Sequence, residues 1–115
     1  MENNYRGVPI EIDGRPLFFR FGFNALCALE NALGTSTSNV TFASVKAQRA
    51  FVWAGLQHEK NPPTLAEVGE WLTPLLKDQK RLGEILEAAA TAYAAAFPED
   101  ESKNAEAVTV GESNA

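Results

Sequence analysis

The spacing of the hydrophobic residues changes once along this chain. Before residue 22 the apolar side chains lie at every second position, in two runs: Val8, Ile10 and Ile12, then Leu17, Phe19 and Phe21. This period is typical of half-buried strands, and Asp13-Gly14 between the runs favours a tight turn with positive φ. From Leu26 onward the spacing is three or four residues, the period of an amphipathic helix. The pattern predicts a β-hairpin followed by helices.

The hairpin is not expected to sit inside a large sheet. Pro9 and Pro16 lack backbone N–H donors, so both strands should be short or lie at an edge. An isolated two-stranded hairpin is only marginally stable and needs helices packed on its face. The predicted fold class is mainly α with a short N-terminal β-hairpin (α+β), completed by a small bundle of about four helices.

The first two helices are predicted over residues 24–33 and 41–58. Gly34 follows the first as a left-handed C-terminal residue, and Thr41 is the expected N-cap of the second. The second helix carries two apolar stripes. The first consists of Phe42, Val45, Val52, Trp53 and Leu56. The second consists of Ala43, Ala47, Ala50, Phe51 and Ala54. Two apolar faces indicate either a central helix or a helix whose second face awaits a partner.

The third and fourth helices are marked by their capping signals. Thr64 and Glu67 have the spacing of a capping box, which predicts the start of the third helix. Pro74 stops or kinks that helix, and Thr73-Pro74 can open the next one. The fourth and longest helix is expected to end near Phe97, and its second half is rich in alanine.

Length and charge indicate one compact domain with two polar ends. A chain of 115 residues has room for one domain, predicted at residues 8–97. Residues 1–7 are expected to be a flexible N-terminus and residues 98–115 a disordered acidic tail. The formal net charge is −5, and residues 99–115 hold five acids against one lysine, so nucleic acid is an unfavoured partner. The absence of a long apolar run argues against a membrane span, and the single cysteine favours the cytoplasm.

The sequence offers no group of residues with an evident catalytic role. His58 is expected at a solvated helix end, with an interaction with the helix dipole as its ordinary role. Cys27 is most simply a small core residue. One histidine and one cysteine far apart do not form a metal-ligand pattern, and no phosphate-binding glycine motif is present. We therefore expect a protein that is not an enzyme and has no cofactor or metal.

Association with another protein is the remaining function class. The predicted protein-binding surface combines one face of the second helix with the outer side of the fourth: Ala47, Ala50, Phe51 and Ala54, then Ala90, Ala94 and Ala95. Small-residue helical faces of this kind can form the walls of a groove for a partner helix. The alternative is that the two faces pack on each other inside the fold. Replacement of Phe51 by aspartate separates these alternatives.

Two sequence blocks are similar to those of a known family. The first has the pattern F-x-x-N-A-L-x-x-L-E from Phe21 to Glu30, and the second has W-A-G-L-x-H-E from Trp53 to Glu59. In this order and spacing they resemble the small tail-assembly chaperones of long-tailed phages. The most similar group is that of gene transfer agents and related prophages, also described as gene-transfer-agent tail tube proteins. The resemblance covers roughly residues 8–97.

The resemblance implies a hairpin followed by a helical bundle, and it implies a role in assembly. Such chaperones coat the aggregation-prone tape-measure protein in the host cytoplasm, help recruit tail-tube subunits, and leave before the particle is complete. The partners it implies are the tape-measure protein and the tail-tube protein, with self-association also permitted. In many relatives a ribosomal frameshift adds a C-terminal extension, and the tail after Pro98 is where such an extension would join.

Other functions compete with this one. A structural minor tail or tail tube component would be retained in the particle, but a tube subunit needs a larger sheet than one hairpin provides. A small regulator could bind another protein or DNA, and the acidic charge balance counts against DNA.

Overall fold

The structure is a computed structural model, and it describes residues 7–36 and 43–97. The hairpin consists of β1 (Val8–Ile12) and β2 (Arg15–Phe19), which pair in antiparallel orientation. Asp13 and Gly14 occupy the turn with φ of 55° and 77°, as the Asp-Gly pair predicts. The helices are α1 (Phe23–Leu33), α2 (Val45–Gly55), α3 (Leu65–Leu72) and α4 (Gln79–Ala95), with a 3₁₀ helix (Thr73–Lys77) between α3 and α4. The predicted fold class is confirmed.

The hairpin register explains how two prolines are tolerated in a sheet. Pro9 lies opposite Phe18, whose N–H donates to a side chain outside the hairpin rather than to β1. This pair is therefore one of the pairs without ladder hydrogen bonds, and such pairs alternate along an antiparallel ladder. Pro16, two residues before Phe18, falls in the same class of pair, opposite Glu11. Neither proline costs the ladder a hydrogen bond.

Helix boundaries follow the capping residues closely, with one correction. The capping box at Thr64 and Glu67 is complete, and Gly34 has a left-handed φ of 69° after α1. The predicted bounds of 41–58 for α2 were wrong at both ends, because the helix spans Val45–Gly55 after an N-cap at Ser44. The Ser44 hydroxyl accepts a hydrogen bond from the Ala47 N–H at 3.1 Å and so satisfies a first-turn donor. Thr41, the expected cap, lies outside the described residues.

Helix α2 is the centre of the fold. It contacts α1, α3, α4 and β2, while α4 also packs on the hairpin. Its face Ala47, Ala50, Phe51 and Ala54 is buried, and so are Val52 and Leu56 on the other stripe. Of the two alternatives for a helix with two apolar faces, the central helix is the one observed. The same burial means that this face is core and not a free binding surface.

An aromatic cluster joins the hairpin exit to α2 and α4. The Phe21 ring stacks on Phe51 at a centroid distance of 5.1 Å, and Tyr93 meets both rings edge-on at 5.5 Å. Buried aromatic side chains in these geometries contribute large apolar area and specific packing. Phe97 extends the cluster toward solvent, at 5.2 Å from Tyr93. The cluster fixes the C-terminal half of α4 against α2.

The two predicted chain ends fall mostly outside the described residues. Residues 1–6 and the predicted acidic tail at 98–115 are not described, so both predictions stay predictions. None of the described helices is long and apolar enough to cross a membrane.

Candidate protein-binding groove

The predicted binding residues are separated by the structure into two groups. Ala47, Ala50, Phe51 and Ala54 are between 0% and 5% exposed, so as surface residues this part of the prediction was wrong. The physical reason is that α2 is packed against the other helices, and that Phe21 and Tyr93 cover the Phe51 ring. Ala90, Ala94 and Ala95 lie exposed on the outer side of α4. The two groups therefore do not form one surface.

A different surface of α2 lines an open apolar groove. The groove lies between the first half of α2, the end of α3 with its following 3₁₀ helix, and the start of α4, and its volume is about 400 Å³. Its lining residues, shared among these elements, are Val45, Lys46, Gln48, Arg49, Gly69, Leu72, Thr73, Leu76 and Leu82. Leu82 is buried, and Gly69 and Leu72 are half-buried, so these three form the deeper part.

Two aliphatic side chains of the groove are unusually exposed. Val45 is 68% exposed and Leu76 is 59% exposed. Exposing an aliphatic side chain to water is unfavourable, because burial of its apolar surface would stabilise the fold or a complex. Val45 lies in the first turn of α2, beyond the part of its stripe that the core covers. Leu76 is carried outward by the 3₁₀ helix that follows α3. Both side chains are available to a partner.

The charged residues of the groove have one sign. Lys46 and Arg49 are its only charged lining residues, and both side chains are exposed at its edge. Within residues 7–36 and 43–97, neither forms a salt bridge with a carboxylate. The groove therefore presents an apolar floor and a basic rim, although the chain as a whole has a formal net charge of −5.

Sequence reasoning missed this groove because Val45 lies on the same stripe as Val52 and Leu56, which are buried. One signal was available: Gly69 lies inside α3, where glycine costs the helix about 1 kcal/mol relative to alanine. A Cβ at Gly69 would meet only the Arg49 side chain, at 3.4 Å from Cδ. The missing side chain thus leaves part of the groove open.

His58 has a hydrogen-bond partner in the hairpin that sequence analysis did not predict. His58 Nε2 lies 2.7 Å from the Phe18 carbonyl oxygen. Because a carbonyl only accepts hydrogen bonds, this nitrogen carries the proton and donates. The adjacent Glu59 accepts from the Phe18 N–H at 3.1 Å. His58 is exposed but has a fixed partner, so the expectation of a merely solvated helix end was incomplete.

These contacts cover the free edge of the hairpin. Beside the two bonds to Phe18, the Arg20 N–H donates to the Gly55 carbonyl at 2.9 Å. Gly55 and the side chains of His58 and Glu59 thus satisfy backbone groups of Phe18 and Arg20, which leaves less unpaired strand edge. Through Gly55, His58 and Glu59, the W-A-G-L-x-H-E block joins the C-terminal end of α2 to the hairpin.

The structure also places the single cysteine, which the sequence suggested as a core residue. Cys27 is an exposed free thiol on α1, so the expectation that it is a core residue was wrong. No cluster of three or more potential metal ligands occurs among residues 7–36 and 43–97.

Comparisons of the chain with protein-family models, curated proteins and solved structures find no match.

Proposed function

We propose that this protein is a tail-assembly chaperone of a long-tailed phage or gene transfer agent. In this role it binds the tape-measure protein in the cytoplasm of the bacterial host and helps recruit tail-tube subunits. It then leaves before the particle is complete. The two sequence blocks around Phe21–Glu30 and Trp53–Glu59 motivate the family, and the helical fold is compatible with it.

The observation that carries the proposal is the open apolar groove. A tape-measure protein of this kind is expected to be mostly long helix, and an apolar groove between helices is a common way to bind an amphipathic helix. Exposed Val45 and Leu76 supply apolar contacts without disturbing the core. Shielding of apolar helical segments in this way would keep an aggregation-prone partner in solution.

The experiment is co-expression with the tape-measure protein encoded nearby, followed by pull-down and size-exclusion chromatography. We expect the tape-measure protein to become soluble and to elute with this chain. An insoluble tape-measure protein, with this chain eluting alone and folded, would contradict the proposal. Adding the tail-tube protein to the soluble complex tests the recruitment step.

Retention in the particle is the competing structural role. The described residues contain a single sheet of two five-residue strands, which supports the chaperone over a tube subunit, because a closed ring needs a wider sheet. Mass spectrometry of purified particles separates the two functions. The proposal expects this chain in the assembling cell extract and not in the finished particle.

A further inference from the structure

We propose that the groove binds an amphipathic helix whose apolar stripe is flanked by acidic residues. This inference rests on the proposed function, since it names the kind of tape-measure segment that the chaperone would select. It follows from the shape of the groove, the chemistry of its floor and the sign of its rim.

The shape and floor favour a helix over a small molecule. Small-ligand sites usually combine an apolar pocket with several convergent polar groups that fix orientation. Here the Thr73 hydroxyl already donates to the Gly69 carbonyl at 2.7 Å, so it is engaged within its own helix turn. Apart from Gln48, the uncharged lining is otherwise largely aliphatic and includes Leu72, Leu76 and Leu82. An apolar helical stripe matches such a floor through burial alone.

The rim selects the charge of the partner. Lys46 and Arg49 lie one turn apart on α2, and no described carboxylate neutralises either of them by a salt bridge. Acidic side chains on one flank of the bound helix would meet both cations, whereas lysines there would be repelled. Charge complementarity at a rim contributes mainly to selectivity and to the association rate, and it weakens as salt rises.

The probes are two designed three-heptad helical peptides with the same leucine stripe. One has glutamates on the flanks and the other has lysines, and binding is measured by fluorescence anisotropy at low and at physiological salt. Exposed charge pairs each change affinity a few-fold, so we expect the glutamate peptide to bind about tenfold more tightly. The difference should shrink at higher salt. Equal binding of both peptides would overturn the selection by charge.

Two sets of variants test the location of binding. The double variant Lys46→Glu/Arg49→Glu should reverse the peptide preference, while the control Lys60→Glu/Lys80→Glu, which changes exposed lysines outside the groove, should keep it. Gly69→Leu fills the groove and should weaken both peptides at least tenfold. Its matched control, Gly83→Leu, adds the same side chain where a Cβ meets nothing within 4 Å. Unchanged binding by folded Gly69→Leu would overturn the site.

The same variants separate this inference from the chaperone function. If wild-type protein solubilises the tape-measure protein and Gly69→Leu does so equally well, the function stands and the groove inference fails. If the glutamate peptide binds the groove but the tape-measure protein stays insoluble, the groove inference stands and the function fails. Self-association of the wild-type chain that Gly69→Leu abolishes would overturn the choice of partner, because a second copy would then occupy the groove.

Discussion

The two ends of helix α2 differ both in their residues and in their surroundings. At the C-terminal end, Gly55 packs against two phenylalanine rings and its carbonyl accepts a hydrogen bond from Arg20. At the N-terminal end, Val45 is 68% exposed beside Lys46 and Arg49. One end joins the hairpin to the helical bundle, and the other borders an open groove.

The contrast shows that an apolar stripe can extend beyond the core that it helps to build. Val52 and Leu56 are 0% exposed, whereas Val45 on the same stripe is 68% exposed. Substitution of the exposed residue Val45 should therefore have little effect on stability, whereas substitution of the buried residues toward the C-terminal end should destabilise the fold. Substitutions at the two ends should therefore differ in their effect on the free energy of unfolding.

Phe51→Ala should lower the free energy of unfolding by about 3–5 kcal/mol, because it leaves a cavity inside the aromatic cluster. Val45→Ala, at the other end of the helix, should change it by less than about 0.5 kcal/mol. Urea denaturation followed by far-UV circular dichroism measures both. A Phe51→Ala variant as stable as wild type would show that the α2 face is not core.

Gly55→Ala should lower the free energy of unfolding by about 1–3 kcal/mol, despite the higher helix propensity of alanine. The added Cβ would lie 2.9 Å from Phe19 Cδ1 and 3.0 Å from Phe21 Cε1. Both rings are buried and cannot move without disturbing the core. Thermal unfolding measures the loss, and a rise in the melting temperature would contradict this packing.

Glu59→Ala should lower the free energy of unfolding by about 1 kcal/mol, since the Phe18 N–H loses its acceptor at the strand edge. The neighbouring Lys60→Ala is the control and should be close to neutral. Amide hydrogen exchange at Phe18 gives the local readout. Equal protection of this amide in Glu59→Ala and wild type would show that the contact does not close the hairpin edge.

Gly69→Ala and Gly83→Ala should each raise the free energy of unfolding by about 0.5–1 kcal/mol. Neither added Cβ clashes: at Gly69 it meets the flexible Arg49 side chain at 3.4 Å, and at Gly83 it meets nothing within 4 Å. Only Gly69 lines the groove. Denaturant titration measures both gains, and destabilisation of Gly69→Ala would mean that the groove is packed more tightly than described.

Local sequence signals were sufficient to predict most of the fold. The Asp13-Gly14 turn, the capping box at Thr64 and the left-handed Gly34 act within a few residues, so their consequences can be derived from the sequence alone. The start of α2 was placed too early because Thr41 and Ser44 are both good N-caps. The choice between them depends on tertiary packing, which periodicity does not report.

The candidate site was harder to predict because exposure is a property of the assembled molecule. The Ala47–Ala54 stripe and Val45 are both apolar in sequence, yet the first is buried and the second is exposed. Similarly, the role of His58 depends on β2, forty residues earlier in the chain. Such long-range contacts leave no mark on the local pattern.

The most direct test of the account is site-specific photo-crosslinking in the co-expressed complex. A benzophenone side chain is placed either at Leu76 in the groove or at Ala94 on the outer side of α4, both of which are exposed. We predict that the tape-measure protein crosslinks to position 76 and not to position 94. Crosslinking from position 94 alone would contradict the account and return the binding surface to the alanine-rich side of α4.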